Sequence, residues 1–224
     1  MLAPRSRNRT RRLLSLAVIV YLCLTTAAAQ AHPHVWVTMK TELIYAPDGS
    51  LTGVRHAWAF DDMFSAFATQ GLEAKTPGQF TRAELQPLAQ INVESLKEYD
   101  YFTRAIINGK RQKGVFGDPV DYWLDYDPKE TVLTLHFTLP LKNPVNAKQL
   151  IIEIYDPEFF VDFGFAENVP TKLVDAPSQC TLTNEKPSDG NFPATRRLDK
   201  SFMTSEANIG MGMKFANKIS VTCP

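Results

Sequence analysis

Two stretches of strict alternation joined by a five-residue turn limit what this chain can fold into more than any other feature of its sequence. From His34 to Tyr45 the side chains alternate, with His34, Trp36 and Thr38 on one side and Val35, Val37 and Met39 on the other. That is the period of an extended strand with one face against a core. Ala46-Pro47-Asp48-Gly49-Ser50 follows, a turn in which proline presets a negative φ and glycine admits a positive one. Leu51 to Phe60 alternates again, with Val54, His56, Trp58 and Phe60 on one face and Arg55, Ala57 and Ala59 on the other. The two runs predict an antiparallel hairpin. With Tyr45 opposite Leu51, Trp36 faces Phe60, His34 faces Asp62 and His56 faces Lys40. A one-residue slip brings Asp61 in place of Asp62, so a carboxylate is expected beside the first histidines in either register. His56 is expected about 20 Å along the strand from the position opposite His34.

Two helical signals follow. Asp61 to Gly71 opens on acids and closes on glycine, and Thr81-Arg82-Ala83-Glu84 is a capping-box pattern before Leu85, Leu88, Asn92, Leu96 and Tyr99 at helical spacing. Pro87, just past the first turn of the second helix, is expected to kink or shorten it. Strands resume with Tyr101 to Asn108, the turn pair Asn108-Gly109, Asp121 to Tyr126, Thr131 to Leu139 and Gln149 to Tyr155. An aromatic extended stretch from Glu158 to Phe165 and a last strand from Ile219 to Cys223 complete them. His136 falls on the face of its strand opposite Leu133, Leu135, Phe137 and Leu139, a solvated or half-covered position. The expected fold class is α+β and β-rich, with antiparallel sheets in a sandwich-like arrangement and a helical insertion at about 61–100.

The first 31 residues read as an export leader: Arg5, Arg7, Arg9, Arg11 and Arg12 precede an apolar run from Leu13 to Leu24 and a small-residue stretch ending at Ala31. The run is shorter than the ~20 residues a membrane-spanning helix needs. Residues 1–31 are thus expected to be a signal peptide and 32–224 a single periplasmic domain, with no membrane span after processing. Without the leader and its five arginines, 19 basic residues stand against 24 acidic ones, a net charge of −5. That balance argues against a nucleic-acid partner. The same processing leaves Cys180 and Cys223, an even pair in an oxidising compartment, for which a structural disulfide is expected.

Glycine-rich nucleotide loops, the G-x-S-x-G elbow and H-E-x-x-H are all absent, and no enzymatic activity is expected. What carries chemistry is His32-Pro33-His34 at the mature start. Neutral imidazoles suit Zn(II), Ni(II), Co(II) and Cu(II), and a carboxylate completes a mixed nitrogen and oxygen set. The α-amine of a terminal His32 adds another nitrogen donor. Pro33 excludes a square-planar site built from consecutive amide nitrogens, because proline has no N–H to lose. The candidate metal ligands are His32, His34, Asp61 and Asp62, with His56 and His136 further off. Met203, Met211 and Met213 offer soft sulfur to Cu(I), but methionine more commonly fills core gaps.

His32-Pro33-His34-Val35-Trp36-Val37, Trp58-Ala59-Phe60-Asp61-Asp62-Met63-Phe64-Ser65-Ala66-Phe67 and Ile154-Tyr155-Asp156-Pro157-Glu158-Phe159-Phe160-Val161 together resemble a bacterial family of unknown function. That family is described as the periplasmic component of an uncharacterised ABC-type transport system, associated with nickel/cobalt-type transporters and zinc acquisition. The resemblance implies a periplasmic accessory protein that binds a transition metal, zinc first and nickel or cobalt next, and works with an inner-membrane metal transporter, with His32, His34 and Asp61 as the matched polar positions. Two other readings compete: a copper redox protein using an amino-terminal histidine brace, and an envelope interaction domain whose histidines are incidental.

Overall fold

The computed structural model describes residues 34–187 and 212–224; the leader, His32, Pro33, Met203 and Met211 lie outside them. The hairpin is present as β1 (Val35–Tyr45) and β2 (Leu51–Phe60). Two helices follow, α1 (Asp62–Thr69) and α2 (Arg82–Leu96), and a 3-10 segment, Lys97–Phe102, leads into β3 (Thr103–Ile107). The remaining strands are β4 (Lys110–Arg111), β5 (Val120–Asp127), β6 (Val132–Val145), β7 (Gln149–Ile154), β8 (Val161–Phe165), β9 (Thr171–Val174), β10 (Thr181–Glu185) and β11 (Asn217–Thr222). Among the described residues no helix is long and apolar enough to cross a membrane.

The strands form two sheets, one ordered β5-β6-β2-β1-β8 with β9 also on β1, the other β10-β11-β7-β3-β4. The α+β, β-rich sandwich therefore holds, with one refinement. β8 and β9 run parallel to β1, so the first sheet is mixed rather than antiparallel throughout. Between the sheets lies a core that includes Met39, Leu43, Val54, Trp58, Leu135, Phe137, Leu150 and Ile152, each at most 1% exposed. Phe137 and Phe163 meet the Trp58 ring edge-on at 4.8 and 4.9 Å, geometries that add to simple area burial.

The hairpin register corrects the sequence expectation. Tyr45 does face Leu51, but a bulge shifts every later pair by one, giving Ile44–Gly53, Thr41–His56 and Val37–Phe60. Thr52 is the extra residue, and its hydroxyl donates to the Ile44 carbonyl at 3.0 Å. Directly paired residues project to the same side of a sheet. Exposed Trp36 therefore cannot face buried Phe60, and the shift is what lets both apolar faces of the hairpin reach one core.

The helical insertion also departs from expectation at one point. α2 begins with both halves of the Thr81–Glu84 capping box and continues through Pro87 for 15 residues without being shortened. Proline removes one N–H donor to the preceding turn, but Leu85, Ala89 and Val93 are buried against the body and hold the helix together. α2 packs on β5, where Phe80 meets Tyr126 edge-on at 5.1 Å and the Tyr122 hydroxyl bonds Gln90. α1 is tied in by Ser65, whose buried hydroxyl accepts the Leu133 N–H at 2.9 Å. Asn108 and Gly109 both have positive φ, 48° and 77°, the backbone a tight hairpin turn requires.

Candidate functional site

The three sequence segments that carry the family resemblance meet at one corner of the mixed sheet. The amides of His34 and Val35 both donate to the Phe160 carbonyl, at 2.9 and 3.3 Å, and start the parallel pairing of β1 with β8. On the other side of β1, the Asp61 amide donates to the Trp36 carbonyl at 2.9 Å. Trp36 is thus flanked on the outer face by Asp61 from the end of β2 and by Asp162, its register partner on β8.

The loop that delivers β8 is organised by Asp156. This residue is 3% exposed, and its two carboxylate oxygens accept the amides of Glu158, Phe160 and Val161, each at 2.9 Å. Buried acceptors with several amide donors fix a backbone strongly. The Asp-Pro-Glu-Phe-Phe motif therefore sets the position of Phe160, and through its carbonyl the first residues of β1.

Asp61 is similarly occupied with backbone. One oxygen accepts the Trp36 amide at 2.8 Å and the other caps α1 by accepting the Phe64 amide at 2.8 Å. It lies opposite Trp36, two positions along from His34, because of the bulge. Asp62 is exposed in the first turn of α1 and accepts the neighbouring Met63 amide at 2.8 Å. Replacing Asp61 by alanine removes a helix cap and an interstrand bond together, and a loss of about 1–2 kcal/mol is expected. Denaturant midpoints of Asp61→Ala and Asp61→Asn measure it; wild-type stability in both would show that neither bond contributes.

His34 is exposed, with its ring 4.8 Å from that of Phe160. Asp162, which the sequence reading missed, sits on the same face one strand over, roughly 8 Å from His34 between Cα atoms by sheet geometry. Partial burial pushes the Asp162 carboxyl above the usual range, a desolvation cost that a nearby cation would relieve. Only the parallel β1–β8 pairing brings it here, and no local pattern in the sequence signals that pairing. Among the described residues no group of three or more His, Cys, Asp or Glu side chains is close enough to hold a metal ion.

The other two histidines are elsewhere. His56 is fully buried on the core face of β2, between the hydroxyls of Thr41 and Thr103 at 3.2 Å each. His136 is half-buried on the outer face of β6, stacked on Trp123 at 3.7 Å, while the Arg82 guanidinium lies over the same indole at 3.3 Å. It pairs with Ala57, which pairs with Lys40, so it is six positions along from His34, on the order of 20 Å. Neither reaches the corner. Exposed apolar side chains do: Trp36 is 48% and Phe160 46% exposed. Met63 and Phe67, one turn apart on α1, are 72% and 73% exposed.

No curated protein matches the chain. Among solved structures it is similar to acetylcholine-binding protein type 1 of Biomphalaria glabrata, at 10% identity over 93% of this chain and 97% of that one. The TM-score is 0.29, too loose a likeness to carry an argument. A family model described as a protein of unknown function (DUF1007) matches residues 17–223.

Proposed function

Because the chain belongs to that family of proteins of unknown function, we propose its role from the chemistry of its own amino-terminal corner: a periplasmic protein that binds a transition-metal ion, zinc first, and works with an inner-membrane metal transporter. The ion is cargo. The observation that carries the reading is the convergence of His34 and the desolvated Asp162 on one face, at the point where three motif segments hold the start of β1 in place. His34 supplies an imidazole and Asp162 an oxygen, and His32 with its α-amine completes the set once the leader is removed. Asp61 positions this backbone rather than serving as the first carboxylate donor. An exposed site made of a few ligands suits a protein that must release its metal as well as bind it.

Calorimetric titration of zinc into the chain starting at His32 tests this against His34→Ala, His32→Ala/His34→Ala and Asp162→Asn. Each variant is expected to lose about tenfold or more in affinity, the usual effect of losing a ligand or its partner. Equal zinc affinity in all four proteins would remove the site.

The exposed Trp36, Phe160, Met63 and Phe67 favour a second reading, an envelope interaction domain that docks through this corner without metal. Zinc addition separates the two. A rise in melting temperature that vanishes in the double histidine variant supports the metal reading, and an unchanged melting temperature supports the other.

A further inference from the structure

The open edge of the second sheet borders a cleft of about 430 Å³ that contains none of His34, Trp36, Asp61, Phe160 or Asp162 and shares only Tyr155 with the motif segments of the amino-terminal corner. Three cations line it, Arg104 on β3, Arg111 on β4 and Lys113 beyond, against a single acid, Asp100. Arg104 is held from two directions. Its Nη1 donates to the Tyr155 carbonyl at 3.3 Å, and its guanidinium lies 4.4 Å over the Tyr155 ring. A guanidinium fixed this way keeps most of its planar fork of donors at little further entropic cost.

Arg111 Nη2 approaches Oε2 of Glu153 at 2.7 Å, and that carboxylate is only 4% exposed. The same oxygen has no aligned hydrogen bond. The contact is a charge pairing through Nη2, which leaves the other guanidinium nitrogens of Arg111 outside that pair. Arg104 and Lys218 flank Glu153 in register from either side, so the buried acid has counter-charge beyond Arg111. Counting Glu153 and its register partner Lys218 with the lining residues, four cations stand against two acids, so the cleft is net positive.

The lip of the cleft is strained. Asp100, Tyr101 and Phe102 have φ of 52°, 53° and 49° in succession. Three non-glycine residues in the left-handed region persist only where their surroundings enforce it, and such segments collect at ligand sites. Ala105, Val115 and Phe116 supply an apolar part of the wall, with the polar Thr103 and Gln112 beside it.

We propose that this cleft, bounded by Arg104, Arg111, Lys113 and the strained Asp100–Phe102 lip, binds a small organic monoanion, a carboxylate on an apolar body. The net positive lining attracts a carboxylate, the fixed Arg104 fork offers bidentate geometry for it, and the apolar part of the wall accepts the body. Inorganic phosphate, which has no apolar body, would leave that part of the wall unused.

Titration with benzoate, its neutral isostere benzamide and inorganic phosphate tests the proposal on the processed protein, with Lys113→Gln and Arg104→Gln alongside. Lys113 is exposed at the rim, so its variant is expected to fold like the parent, and thermal melting checks this. Benzoate is expected to saturate one site, with benzamide and each variant weaker by about tenfold, the scale of one charge-assisted hydrogen bond. Zinc affinity is expected to stay unchanged in both variants, which separates this proposal from the metal site. Four outcomes would overturn it: no saturable benzoate binding, benzamide binding as well as benzoate, phosphate binding as tightly as benzoate, or unaltered affinity in both variants. Equal affinity for benzoate and benzamide would reduce the cations to counter-ions of Glu153.

Discussion

Lowering the pH from 6.5 towards 3 is expected to destabilise the fold by about 5 kcal/mol through His56 alone, from the pKa difference between the folded and unfolded chain. Complete burial between the sheets pushes this imidazole down to about 3 from its ordinary 6.5. The folded state therefore holds His56 neutral while the unfolded state takes up a proton. The contribution is fully present above pH 6.5 and is lost as the pH falls through the window to about 3. The hydrogen bonds explain why the neutral ring is built in. The Thr103 hydroxyl gives its one proton to the Tyr101 carbonyl at 2.8 Å, so it accepts from His56 Nε2–H. Nδ1 is then the acceptor for the Thr41 hydroxyl, and a second ring proton would break that bond and leave a charge in the core.

Nuclear magnetic resonance titration of the His56 Cε1 proton gives the direct test. Its shift is expected to stay flat down to about pH 4, well below the ordinary range of an imidazole. A His56 midpoint near 6.5 in the folded protein would overturn the assignment. Denaturant unfolding of His56→Leu adds an independent check, since its stability is expected to fall less steeply with acid between pH 6.5 and 3 than that of the parent.

Opening the Cys180–Cys223 disulfide is expected to cost about 4 kcal/mol, the loop-closure estimate for residues 43 apart. The bridge joins the residue before β10 to the one after β11, next to the Thr181–Thr222 pair. Among the described residues β10 is an edge strand whose ladder partner is β11, with Asn184 also accepting the Thr171 hydroxyl at 2.8 Å, and four of its five residues are exposed. It buries little to hold itself in place. The covalent link is therefore its main constraint. Cys180→Ser/Cys223→Ser is expected to lower the denaturant midpoint by the corresponding amount, with amide exchange rising first in Thr181–Glu185. Uniform loss of protection across both sheets, with β10 no faster than β7, would show that the bridge stabilises the molecule globally instead of pinning its edge.

The candidate site is partly legible in the sequence. His34 on the outer face followed from alternation and the disulfide from a cysteine count, whereas the carboxylate expected opposite His34 did not, since Asp61 stands opposite Trp36. The pairing of Asp61 with Trp36 was missed, although the signal was present. Trp36 and Phe60 belong to opposite faces, so the expected register contradicted the alternation used to define the strands, and only a bulge reconciles the two. Asp162 had no such signal. It stands more than a hundred residues after the strand it joins, beside Trp36 only because Asp156 folds the preceding loop against the start of β1. Pro87 shows the opposite error, a strong local rule overridden by the burial of Leu85, Ala89 and Val93.

By itself the sequence determined the elements and their faces: the hairpin strands, the turn residues, the capping box of α2 and the apolar side of each strand. These depend on side-chain period and local backbone chemistry, which act over a few residues. The tertiary structure alone decided which faces meet. It brought β8 and β9 parallel to β1, enclosed His56 between Thr41 and Thr103 from different sheets, and set Arg104 and Arg111 around the buried Glu153. Those outcomes depend on strand pairing between segments distant in the chain, where competing registers differ by a single residue and only the packing of the whole core selects among them.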